Sequence, residues 1–229
     1  MPSSDFVYEE GEPIDVGTHG DHDFLYHEGD PVNDSGQSSL VFEGGTGLGG
    51  GVQWTISDDQ GSVSATLQII SDSQSVEDFY GWDPNAPTGS AATGDVLNYA
   101  ADPWASLMLY QEESSNTLYL VVIYDTRDSG NSGDVVATTS GLPGSATLAV
   151  EDDPGDDFSD VYALSPPTLD TDHNWLNNTD GFAVSVELGE TVAFSPSTVS
   201  GLDKVQAIGQ DGAQINRPFG TDTTVEVDL

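Results

Sequence analysis

The side chains able to do chemistry in this sequence are overwhelmingly carboxylates, and two runs of them stand out. One is Asp125-Thr-Arg-Asp128-Ser-Gly-Asn131-Ser-Gly-Asp134; the other is Glu151-Asp152-Asp153-Pro154-Gly155-Asp156-Asp157, with Asp160 close behind. Calcium takes six to eight oxygen ligands, and Asp/Asn clusters on loops supply them. Asp125, Asp128, Asp134, Asp153 and Asp156 are therefore candidate ligands for calcium or another structural cation, provided both loops meet at one end of the fold. The Asp-x-Asp-x-Asp-Gly spacing with a terminal Glu is missing, and so acidic a chain makes clusters by composition alone. Solvated loops are the competing reading, and no cofactor other than such a cation is implied.

Histidine is scarcer. His19, His22 and His27 fall close together beside Asp21 and Asp23, and only His173 lies elsewhere. Imidazole with carboxylate suits a transition metal, which three chains could share on a symmetry axis; polar turns are the alternative. Trp175 sits among acids and amides in Asp172-His-Asn-Trp-Leu-Asn-Asn-Thr-Asp180-Gly. That mix is found in carbohydrate sites, so Trp175 is a candidate ligand platform, or else a plug for one end of a β-sandwich.

Catalytic signatures are missing. There is no Gly-x-Ser-x-Gly and no His-Glu-x-x-His, and a glycosidase pair cannot be singled out among forty acids. Cysteine is absent, which removes disulfides, thiolate nucleophiles and zinc–cysteine sites. The run Gly44-Gly45-Thr46-Gly47-Leu48-Gly49-Gly50-Gly51 has no Lys-Ser/Thr after it, so it reads as a flexible joint and not a phosphate loop. These observations favour a protein that is not an enzyme.

Charge sets the environment. Forty acidic residues against Arg127, Lys204 and Arg217 leave a formal net charge of −37. Such a surface repels itself at ordinary ionic strength, where the Debye length is about 8–10 Å, and far less in molar salt, where it is about 3 Å. The expectation is a halophilic host. Three scattered cations cannot replace the counterions of a nucleic acid, nor dock on an anionic membrane. No apolar run reaches the ~20 residues of a membrane span. Met1-Pro-Ser-Ser-Asp5 lacks the features of a secretory signal, so the expectation is that the protein is either intracellular or leaves the cell by another route, such as lysis.

The elements that would position these residues divide into two parts. Phe6-Val-Tyr8-Glu-Glu-Gly11-Glu-Pro-Ile14 returns as Phe24-Leu-Tyr26-His-Glu-Gly29-Asp-Pro-Val32, and more loosely as Leu40-Val-Phe42-Glu-Gly-Gly45-Thr-Gly-Leu48. Each copy is one short strand and one tight turn, too little to bury a face alone. From Val52 onward short strands separated by Gly, Pro, Asn and Asp turns take over. They are expected at 52–57, 62–70, 106–110, 117–124, 134–138, 146–151, 182–188, 191–194, 204–209 and 223–229. Residues 117–124 are apolar almost throughout, as in a central strand covered on both faces. The insertion 72–105 holds Phe79, Tyr80, Trp82, Tyr99 and Trp104, a composition expected of a satellite core. The fold class is all-β. Residues 1–51 form an extended β-repeat segment with a Gly-rich linker, and residues 52–229 a β-sandwich or jelly-roll head.

The N-terminal copies resemble the shaft repeats of trimeric viral fibres such as those of adenoviruses. The resemblance puts Tyr8, Tyr26 and Phe42 inward, places Gly11, Gly29 and Gly45 at turns, and implies a homotrimer with an all-β head. The whole chain also resembles virion proteins from viruses of haloarchaea: acidic, cysteine-free and all-β. The function these resemblances imply is non-enzymatic, that of a capsid surface projection (turret or decoration) or a tail fibre at the virion surface. Its partners would be its own copies, other capsid or tail proteins, and a host cell-surface glycan or glycoprotein. A jelly-roll major capsid protein with an N-terminal arm is one alternative. A carbohydrate-binding module or glycosidase of a haloarchaeal cell surface is the other.

Overall fold

The computed structural model describes residues 51–83, 92–152, 160–176 and 178–229, all within the unit Gly44–Leu229. Tyr8, Gly11, Tyr26, Gly29, Phe42, Gly45, the histidines 19, 22 and 27, and Asp153 and Asp156 lie outside the described residues.

In chain order the elements are β1 (Gly51–Asp58), β2 (Gly61–Gln68), β3 (Ile70–Asp72), α1 (Val76–Tyr80), a 3-10 turn (Asp95–Asn98), β4 (Trp104–Glu112), β5 (Thr117–Asp125) and β6 (Ser132–Ser140). There follow β7 (Leu148–Glu151), β8 (Val161–Ser165), β9 (Thr168–Leu176), β10 (Thr179–Val186), β11 (Thr191–Ser200), β12 (Lys204–Ile208), β13 (Gln214–Pro218) and β14 (Thr224–Asp228). They build two large sheets. The first, in the order β2-β1-β14-β11-β6-β9-β8, is antiparallel throughout. The second, in the order β13-β12-β4-β5-β10-β7, is mixed, because β12 and β3 both run parallel to β4.

Period-two alternation explains the first sheet. Val52, Trp54 and Ile56 of β1 point inward, and their intervening neighbours are exposed or half-buried. Across the ladder Trp54 stands opposite Val227, and Ile56 opposite Val225, so each inward position meets another apolar side chain. Asp59 and Gln60 form a two-residue turn into β2, and Gly61 after it takes a positive φ of 119°, which glycine adopts without the cost of a Cβ. One apolar core joins the inward faces of both sheets, and each fully buried large side chain in it contributes roughly 1.5–3 kcal/mol.

The second sheet is covered on both faces. Leu118, Leu120, Val122 and Tyr124 of β5 face the shared core, while Val121 and Ile123 face a second cluster on the far side. To that second cluster the insertion 72–105 contributes Val76, Phe79, Tyr80, Ala92 and Val96. Phe79 of α1 stacks on Tyr110 at 4.2 Å, and Tyr80 and Val96 are fully buried beside it. The helix is capped by Ser75, whose hydroxyl accepts from the Asp78 N–H, and stopped by Gly81 in the left-handed conformation. The aromatics of this insertion are thus mainly packing groups, as the sequence suggests. β3, β8, β9 and β13 are strands that the pattern of apolar residues does not announce.

Candidate functional site

At one end of the sandwich the filling between the sheets changes from apolar to ionisable. β9 alternates strictly: Leu169, Thr171, His173 and Trp175 are buried, with Asp170, Asp172 and Asn174 on the outward face. The chain then crosses from the first sheet to the second within a few residues. β10 begins there, sending Asp180 and Phe182 inward, with Asp180 directly opposite Tyr124 of β5. Asp160 enters from the lead-in to β8, and its Oδ1 accepts the Asn174 backbone N–H at 3.1 Å.

These elements bring Asp160, His173 and Asp180 together, all three buried. His173 Nδ1 lies 3.0 Å from Asp180 Oδ1 and 3.9 Å from Asp160 Oδ2. The Gly181 N–H donates to Asp180 Oδ1 at 2.6 Å. Aromatic rings wall in the imidazole: the rings of Tyr124 and Tyr162 meet it edge-on at 5.1 Å each, and Phe182 stacks at 5.9 Å. The Tyr162 hydroxyl is shared between the carbonyls of Asp152, at 2.5 Å, and Gly181, at 3.1 Å. Tyr80 donates to Asp152 Oδ2 at 2.8 Å, so the satellite core and the site share a hydrogen bond.

Electrostatics follow from burial. Desolvation alone would lower the His173 pKa, but the charges of Asp180 and Asp160 outweigh it and lift the imidazole to about 9. Asp180 is raised as well, by burial first, against the opposing pull of His173. The phenols of Tyr80, Tyr124 and Tyr162 are all pushed up, chiefly by desolvation and then by the neighbouring carboxylates. The group is therefore an imidazole flanked by two carboxylates in a dry aromatic cage. The side chains of His173, Asp160 and Asp180 are 0%, 1% and 3% exposed, so as placed they can hold a proton or a cation but cannot meet a substrate.

The residues singled out by sequence fare differently. Asp125 is buried and committed to Arg127, which grips it through Nε at 2.9 Å and Nη2 at 2.7 Å. Asp128 is exposed, and its backbone N–H, like that of Ser129, donates to Asp102. Asp134 lies in β6 of the other sheet, on the face opposite the buried Val135. These three do not converge: Asp125 is in the second sheet, Asp134 in the first and Asp128 in the connection between them. Among the described residues, the cation-capable group is instead Asp160, His173 and Asp180.

Trp175 is 4% exposed. Tyr124 stacks on its ring at 5.2 Å, and a Cβ at Gly133, its cross-strand partner, would lie 2.0 Å from the ring. Its indole N–H donates to Thr126 Oγ1 at 2.9 Å. A ring covered in this way has no face left for a sugar, which corrects the ligand assignment and leaves Trp175 as packing. His173 was visible in sequence only as the histidine apart from the others; the alternation of 168–176 was the signal that could have placed it inside. No helix among the described residues is long and apolar enough to cross a membrane. Compared with known proteins, the chain matches no family model and no curated sequence.

Proposed function

We propose that the protein is a non-enzymatic structural protein of a virion from a halophilic host, a capsid surface projection (turret or decoration) or a tail fibre. Residues 1–51 anchor or trimerise it, and residues 52–229 form its outward head. The observation that carries this reading is the threefold repeat of the sequence pattern around Tyr8, Tyr26 and Phe42, ahead of an all-β unit with a core of its own. On this reading each copy forms one strand and one turn, too little to bury Tyr8, Tyr26 and Phe42 alone, and two sister chains supply the missing face. The charge of −37 supports a working environment of high salt. The parallel pairings of β3 and β12 with β4 favour a sandwich head over a jelly-roll capsid subunit. The burial of Trp175 removes the feature that would favour a carbohydrate-binding module.

Light scattering in molar KCl tests the proposal. The full chain is expected near 72 kDa, three times 24.1 kDa, and a shortened chain of residues 52–229 is expected to be monomeric or to associate weakly. A monomeric full chain would contradict assembly through the repeats. A shortened chain that is still trimeric would move association to the head.

A further inference from the structure

The donors around His173 do more than form an ion pair. We propose that Asp160, His173 and Asp180 bind one divalent transition-metal ion of the zinc or manganese class, which ties the two sheets together at this end of the head.

Geometry is the first argument. A ligand oxygen from each aspartate and a ring nitrogen of His173 all lie within 4.8 Å of one another. An ion holding N and O ligands at about 2.0–2.2 Å keeps neighbouring ligands roughly 3–4 Å apart. The separations of 3.0 and 3.9 Å from Nδ1 fall in that range.

Charge is the second. Two carboxylates and a neutral imidazole carry a charge of −2 in a place closed to water, where uncompensated charge is costly. A divalent ion cancels that charge, whereas a proton on the imidazole cancels half of it.

The surroundings are the third. Each carboxylate is already aimed by a backbone N–H, Asp160 by Asn174 and Asp180 by Gly181. This is the outer-shell support that metal-ligating carboxylates receive. The Tyr124 hydroxyl is buried without a hydrogen-bond partner. Its residue stands directly opposite Asp180, and its ring meets the edge of His173.

The donor set decides the class of ion. One imidazole and two carboxylates suit zinc or manganese; calcium asks for six to eight oxygens, more than this closed cage offers. The ion would also join two layers, because His173 belongs to the first sheet, Asp160 is bonded to the same strand through the Asn174 N–H, and Asp180 belongs to the second. This inference does not depend on the assembly proposed above.

The test uses the full chain, stripped with chelator in molar KCl and then given zinc, manganese or calcium. Metal content after desalting and the melting temperature are the readouts. The expected result is one zinc or manganese per chain, a melting temperature raised by several degrees, and no such rise with calcium. Cobalt(II) gives a second readout, a visible absorption band that zinc abolishes. His173→Gln and Asp180→Asn should lose the ion. The inference is overturned if the unaltered chain retains less than one equivalent. It is equally overturned if calcium gives the same rise, since diffuse binding to the acidic surface then accounts for it. Retention of both ion and thermal gain by folded His173→Gln would also overturn it.

Discussion

In the middle of the sandwich Trp54, Ile56, Phe194 and Val225 meet Leu107, Leu120 and Val122, and the space between the sheets is filled by hydrocarbon and aromatic rings. Where β9 crosses to β10 the same layer holds His173, Asp160, Asp180 and Thr126 instead. The middle is stabilised by removing apolar area from water, a force without direction that tolerates swaps of similar volume. The His173 end is stabilised only while each buried charge keeps its partner. The two regions are equally buried, yet they should respond to different perturbations.

The largest effects are expected on deleting one buried side chain from either region, and they part in their dependence on pH. Asp180→Ala leaves a buried imidazole facing Asp160 alone and should cost roughly 3–5 kcal/mol. Trp54→Ala in the middle should cost a similar amount, roughly 3–5 kcal/mol, through a cavity. Denaturant unfolding in molar KCl measures both, and the cost of Asp180→Ala should shrink as pH rises while that of Trp54→Ala stays level. Costs that track each other across pH would break the comparison.

Next in size is the pH response of the unaltered, metal-stripped chain. His173 is raised from its ordinary 6.5 to about 9. Its contribution is therefore complete below about pH 6.5 and is lost as pH rises through about 9. Asp180, also raised, adds a loss of the same sign at lower pH. The total from His173 is on the order of 3 kcal/mol. A stability that is flat or rising between pH 6 and pH 9.5 would show that folding does not strengthen the hold of the imidazole on its proton.

A smaller effect sharpens the boundary between the regions. Gly133→Ala would set a Cβ 2.0 Å from the Trp175 ring, which must then move off Tyr124 and release its bond to Thr126. Overpacking of this kind costs roughly 1–3 kcal/mol, and the near-ultraviolet circular dichroism should change with it. Full retention of both signals would mean that the ring has room to shift.

Much of the middle is legible from sequence because its residues are apolar. Residues 117–124 announce a central strand, and 52–57 an alternating one; both are found as β5 and β1. β9 escapes notice for a physical reason. Its outward positions are Asp170, Asp172 and Asn174, types that disfavour strands, and two of its four inward positions are Thr171 and His173. In a chain this acidic, an outward Asp marks solvent exposure and not a turn, so Leu169-x-Thr-x-His-x-Trp175 is the period-two signal. Even with β9 in hand, the site stays hidden, because its assembly depends on β9 and β10 lying in different sheets. The acidic runs mislead for the converse reason: Asp125 and Asp134 are close in sequence, but β5 and β6 diverge into separate layers.

If paired charges between β9 and β10 fasten the head, a double-mutant cycle reads that pairing out. His173→Gln, Asp180→Asn and the double variant would be unfolded by denaturant in molar KCl with chelator at pH 6. If the two side chains act as a pair, the double variant costs less than the sum of the single ones, by more than about 1 kcal/mol. Costs that add to within about 0.5 kcal/mol would contradict that pairing and reduce the group to independent buried polar residues.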